Sequence, residues 1–168
     1  MGTYVDKSVI KSLPIYNDSK LDHEVIQNVL CNPILLPRII RIVTNWNIPT
    51  YLVTKGITDA IRPRLTNKIS NEDMIELENK LHSLMNSNDY GEALNVGVEF
   101  LLFVKGDTMY YSRSSNKSSF ENIHEEKKIQ HKEFCFALCD VYYGNDVVST
   151  DHKYNIIEGF VQLVVDKK

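Results

Sequence analysis

The sequence predicts an α+β fold, with N-terminal helices packed on a mostly antiparallel sheet formed largely by the C-terminal half. Three observations carry this expectation. The first half holds apolar residues at helical spacing, and the stretch after Ser70 opens with the cap and acids of a helix start. The second half is dominated by aromatic and β-branched runs separated by turn pairs.

Along the chain, residues 1–19 are polar and turn-rich around Pro14, which suggests an extended arm or an edge strand. A first helix is expected from Leu21 to Cys31, with Val25, Ile26, Val29 and Leu30 on one face. Asn32-Pro33 reads as a cap followed by proline at the first helical position, opening a second helix that runs to Asn47. Leu35, Ile39, Ile42 and Trp46 form its stripe, with Arg38, Arg41 and Asn45 opposite. Thr50–Thr54 is β-branched and aromatic and ends at Lys55-Gly56, the pattern of a short strand. Ser70 then caps a helix over Asn71–Met85, with Met74, Ile75, Leu77, Leu81 and Leu84 apolar.

In the second half, Val98–Val104 and Thr108–Arg113 flank Lys105-Gly106-Asp107 and predict a hairpin. A Ser/Asn loop over 112–119 and a short charged helix over Phe120–Gln130 follow. Glu133–Tyr143 and Tyr154–Val165 are expected to be further strands. No repeat, low-complexity tract or composition shift divides the 168 residues, so one domain over 1–168 is expected.

Composition limits the function classes. At 43% hydrophobic and 24% charged residues the chain is ordinary for a globular protein. It begins without the apolar segment of a secretory signal, and no run approaches the ~18 residues of a membrane span. Three cysteines make no disulfide framework. These features together read as cytoplasmic or nuclear, and the abundant Asn, Ile and Lys suit an AT-rich viral or microbial gene. Asn17-Asp18-Ser19 and Asn116-Lys117-Ser118 are then chance sequons.

The search for chemistry is mostly negative. No phosphate-binding glycine loop and no nucleophile elbow is present, and the sequence implies no cofactor. His23-Glu24 and His124-Glu125 begin like zinc-protease helices, but Gln27 and Lys128 stand where a second histidine is needed. His131, Cys135 and Cys139 are spaced four and four. On a helix they would share a face and could bind zinc or present a thiolate; on a strand, ligands so spaced stand ~13 Å apart. The run from Phe134 to Tyr143 favours a doubly buried strand, in which cysteine is a small apolar residue and no metal is held. Asp140, Asp146, Asp151 and His152 gather near one expected turn, as a polar tip or as an acid site. Tyr110-Tyr111 and Tyr142-Tyr143 read as half-buried strand residues rather than a stacking platform.

Charge is unevenly spread although the net value is only −3. Between Leu36 and Ser70 stand six bases and one acid, and between Asn71 and Glu99 seven acids and one base. The blocks could pair within the fold, contact an anion, or dock between copies. The expectation drawn is a non-enzymatic interaction or structural protein, viral or microbial, working through an Arg-rich surface or self-association. Arg38, Arg41, Arg62 and Arg64, with Lys55 and Lys68, are its contact residues. Its partner is another protein, a second copy, a nucleic acid such as single-stranded RNA, or an acidic membrane surface. The alternative is a small enzyme with its site near Cys135, Asp140, Asp151 and His152.

Overall fold

The structure is a computed structural model that describes residues 1–13, 22–86, 93–114 and 127–165. In chain order the elements are β1 (Gly2–Val5), α1 (Lys7–Ser12), α2 (His23–Cys31), β2 (Arg38–Val43), β3 (Ile48–Pro49) and α3 (Thr50–Leu65). There follow α4 (Asn71–Met85), β4 (Ala93–Leu94), β5 (Glu99–Lys105), β6 (Thr108–Ser114), β7 (Lys128–Gln130), α5 (Lys132–Tyr143) and α6 (Thr150–Val165). The fold is α+β. Five strands form an antiparallel sheet in the order β1-β2-β5-β6-β7, and β3 pairs with β4 in a separate two-stranded ladder.

Register assigns the two faces of the sheet. Arg38 lies opposite Val5 and Val104, Ile40 opposite Thr3 and Leu102, and Ile42 opposite Phe100. Strand residues alternate in direction, so these side chains share one face with Met109 and Tyr111 of β6. That face joins Ile26, Leu30, Leu81 and Leu138 in one core, so the described helices form a layer on one side of the sheet. Helix α5 is central to this layer, touching α2, α3, α6 and β6.

Several sequence expectations hold. α2 starts at an Asp22 cap, whose carboxylate accepts from the Glu24 N–H at 3.2 Å. α4 starts at Ser70, whose side chain accepts from the Asp73 N–H at 3.0 Å while Asp73 returns a bond to Ser70. The hairpin β5–β6 turns at Gly106, where φ is +61°. Of the arm or edge strand expected over 1–19, Gly2–Val5 form the edge strand β1, whereas Lys7–Ser12 form the helix α1. Where the helix expected over 120–130 is described, Lys128–Gln130 form the strand β7, and Ser112–Ser114 of the expected Ser/Asn loop end β6; residues 115–126 and both sequons fall outside the described residues.

Four further elements correct the sequence reading. The helix expected over 33–47 is instead the strand β2, which lies between β1 and β5 and is buried on both faces (Ile39 8% and Ile40 0% exposed). Its apolar residues fill both faces, so they also match a wide helical stripe, and the β-branched side chains favour the strand. The strand expected over Thr50–Thr54 is the first turn of α3. Val53, Ile57, Ile61 and Leu65 repeat at helical spacing across Gly56, and the helix continues through Pro63, which has no N–H to donate to the Asp59 carbonyl. Glu133–Tyr143 and Tyr154–Val165 are α5 and most of α6, not strands. α5 is apolar all round because it is enclosed on nearly every side, and such a helix has no polar face to reveal its period.

Candidate functional site

The six bases singled out by the sequence do not make one surface. Arg38 is 1% exposed and points into the helix layer. Its Nη2 donates to the carbonyls of Leu36 (2.8 Å), Asn32 (3.0 Å) and Val29 (3.3 Å), and its guanidinium stands 5.1 Å from the Tyr143 ring centroid. It therefore closes the carbonyl end of α2, where a cation suits the helix dipole. Arg41 forms a two-pronged pair with Glu99, Nε to Oε2 at 3.0 Å, on the opposite face of the sheet. Arg62 pairs with Glu78 of α4. Arg64 donates to Asp140 Oδ2 (2.6 Å), the Ala60 carbonyl (2.7 Å) and the Asp146 carbonyl. Lys55 pairs with Asp59 one turn away, and Lys68 is exposed. Two of these pairs, Arg41–Glu99 and Arg62–Glu78, join the basic block to the acidic block.

The residues of the alternative enzyme site face different partners. Cys135 and Cys139 are both sealed in the core. Burial pushes the Cys135 thiol up to about 12 and also raises that of Cys139, so neither is a thiolate near neutrality. Cys31 is likewise pushed up to about 12 by burial. His131 caps α5, its Nδ1 accepting from the Phe134 N–H at 3.2 Å. Asp140 turns to Arg64, Asp151 is exposed, and His152 is buried under the edge strand. There the Thr3 hydroxyl meets His152 Nε2 at 3.2 Å and Tyr143 Oη at 2.7 Å. Burial lowers the His152 pKa and raises that of Tyr143, holding both neutral. Among the described residues no three His, Cys, Asp or Glu side chains are placed to hold a metal ion.

What the structure does form is an apolar cleft of 330 Å³ between the end of β2, α3 and α5. Its floor is Phe100, Leu138, Val141 and Tyr142, all buried. One wall is the face of α3 carrying Leu52, Val53, Gly56, Ile57 and Ala60, a spacing that keeps them on one side of the helix. Two members of that wall are small, and a Cβ added at Gly56 would meet no atom within 4 Å. A glycine inside a helix costs ~1 kcal/mol relative to alanine. Here the exposed Gly56 adds no side chain to the cleft wall.

The rim is held from both sides. Thr44 Oγ1 donates to the carbonyls of Asn95 (2.5 Å) and Val98 (3.2 Å), its backbone exchanges bonds with Val98 and Gly97, and Asn47 Oδ1 accepts from the Val96 N–H at 3.0 Å. Gly97 has φ +82°, the left-handed region this tight return requires. Trp46 stands out from the clasped segment at 69% exposure. On the other side, Val148 is positioned by the link between α5 and α6, where its N–H donates to the Val141 carbonyl at 3.1 Å. Lys153 fixes this link by donating to the Gly144 carbonyl (2.6 Å) and to Gln27 Oε1 (2.8 Å). Gly144 must be glycine, since a Cβ there would overlap the Asp140 carboxylate and come within 2.6 Å of the Asp140 carbonyl oxygen.

Sequence reasoning missed this cleft because its walls lie in segments assigned to the wrong element. Gly56 was the available signal, a gap in the stripe Val53, Ile57, Ala60. No protein-family model matches the chain, and no curated protein matches it. Among solved structures, the crystal structure of a fatty-acid binding protein from Arabidopsis thaliana is similar, with a TM-score of 0.67 at 17% identity. The likeness covers 97% of this chain and 78% of that one. It shows the fold.

That finding corrects the expectation of a viral or microbial interaction protein working through an Arg-rich surface or self-association. The chain shares its fold with a protein described as binding a fatty acid, and its arginines are committed to internal partners. The alternative site near Cys135, Asp140, Asp151 and His152 is not assembled either. No described helix is long and apolar enough to cross a membrane.

Proposed function

We propose that the chain binds a small apolar ligand with an acyl-type chain in the cleft between α3 and α5. The observation that carries this reading is the cleft itself, open to the surface and floored by the buried apolar residues Phe100, Leu138, Val141 and Tyr142. The volume, 330 Å³, lies within the size range of small-molecule sites. The solved structure of similar fold, described as a fatty-acid binding protein, supports the same ligand class. Burying about eight methylenes at ~0.8 kcal/mol each corresponds to a Kd on the order of tens of micromolar.

Trp46 is the single tryptophan of the chain and stands at the rim, so its emission reports on the cleft. Titration with decanoic acid is expected to shift that emission to the blue and saturate. Gly56→Phe, which places a ring in the gap, is expected to weaken binding at least tenfold while leaving the circular dichroism spectrum unchanged. Saturable binding that is the same in wild type and Gly56→Phe would place the ligand elsewhere. No response in a folded wild-type protein would end the reading.

A further inference from the structure

The chemistry of the cleft wall restricts which part of an amphiphile it can take. None of the sixteen described residues that line the cleft carries a charge. The arginines around it already have partners: Arg113, opposite the floor residue Phe100 in the sheet, donates to the Ala93 carbonyl at 2.7 Å. Arg41 is on the other face of the sheet and paired with Glu99, and Arg64 is held by Asp140, the Ala60 carbonyl of its own helix and the Asp146 carbonyl at the α5–α6 link. The hydroxyl of Thr44 is spent on the Asn95 and Val98 carbonyls. Tyr142 alone brings a polar atom to the floor, and burial holds its phenol neutral. One neutral hydroxyl does not replace the hydration of an ionised carboxylate, and a buried charge without a counter-charge is strongly disfavoured.

The rim differs from the floor. Trp46, Leu52 and Val148 are exposed apolar side chains at the opening, with Asn45 beside them, and water reaches all of this edge. An amphiphile can therefore lay its chain along Phe100, Leu138 and Val141 and leave its head at the opening, still hydrated.

We infer that the cleft takes its ligand tail-first, with the head group outside at the Trp46–Val148 opening, so that it selects for an apolar chain and not for a carboxylate. This rests on the acyl-binding reading above. The ligand class widens accordingly, to fatty alcohols and esters as well as acids of the same chain length.

Two measurements with the full chain test it. Decanoic acid, decanol and methyl decanoate, titrated against Trp46 emission near neutral pH, are expected to bind within about threefold of one another. Bromine quenches tryptophan at short range, so 2-bromodecanoic acid is expected to quench Trp46 more strongly at saturation than 10-bromodecanoic acid. Acid binding at least tenfold tighter than ester, or stronger quenching by the 10-bromo probe, would overturn tail-first entry while leaving acyl binding intact. Absence of binding by all the probes would instead overturn the acyl-binding reading, and this inference with it.

Discussion

The two long sides of α5 are finished in opposite ways. On one side Cys139 and Tyr143 face α2, α6 and the sheet, and both are wholly buried. The Tyr143 ring lies against the Arg38 guanidinium, its hydroxyl is taken by Thr3, and Leu30 and Ile26 are wholly buried nearby. On the other side Leu138, Val141 and Tyr142 face α3 across open space. The neighbouring tyrosines 142 and 143 both pack against His152, but only Tyr142 also lines the cleft, while the Tyr143 hydroxyl is tied to Thr3. Interiors are otherwise packed at near-crystalline density, so the open side of α5 is the one on which the proposed ligand would lie.

The largest effect that would test this contrast is a truncation on the filled side. Leu30→Ala removes a wholly buried side chain from packed surroundings and is expected to cost ~2–5 kcal/mol in urea unfolding. Leu52→Ala on the open side, where the residue is largely exposed, is expected to stay within ~0.5 kcal/mol. Equal losses at both sites would mean that the two sides are packed alike. Next, Gly144→Ala forces a methyl group into Asp140 and should cost ~1–3 kcal/mol by the same measurement. A neutral result would mean that the α5–α6 link is not clamped as described.

Gly56→Ala reverses the sign. The methyl group enters open space and the helix gains propensity, so a stabilisation of ~0.4–1 kcal/mol is expected. Destabilisation would show that the gap is already occupied. The smallest expected effect is a pH dependence on the filled side. His152 is held below its ordinary pKa by burial, so the unfolded chain takes up a proton at higher pH than the folded one. Stability from this source is fully present above the unfolded value of ~6.5 and declines as pH falls through the interval down to the folded pKa. His152→Gln is expected to flatten that part of the profile, measured as urea midpoint against pH.

The contrast between the two sides also explains what the sequence revealed. Elements with an exposed polar face were legible: α2 and α4 show caps and one apolar stripe, and β5–β6 shows runs joined by Lys105-Gly106-Asp107. Elements enclosed by the fold were not. β2 is apolar on both faces and α5 nearly all round, so neither retains a period, and only length separates an enclosed helix from a strand. By that measure the eleven residues Glu133–Tyr143 were too many for an ordinary strand. The cleft was not legible for a further reason. A cavity is a property of what several segments fail to fill, and the one local trace of it, Gly56, also reads as a chain turn.

Arg38 has a consequence for how the chain finds its pairing. The strand Arg38-Ile39-Ile40-Arg41-Ile42-Val43 is apolar on both faces, so burial alone discriminates poorly between correct pairing and a slip of one residue. A slip would carry the guanidinium through the sheet to the face of Glu99 and leave the carbonyls of Val29, Asn32 and Leu36 without their donor. The charge thus acts as a key for fidelity, admitting one alignment and rejecting its neighbours. Arg38→Met, isosteric enough to stay buried, is expected to remain folded but to show more than one set of amide signals for β2 by NMR.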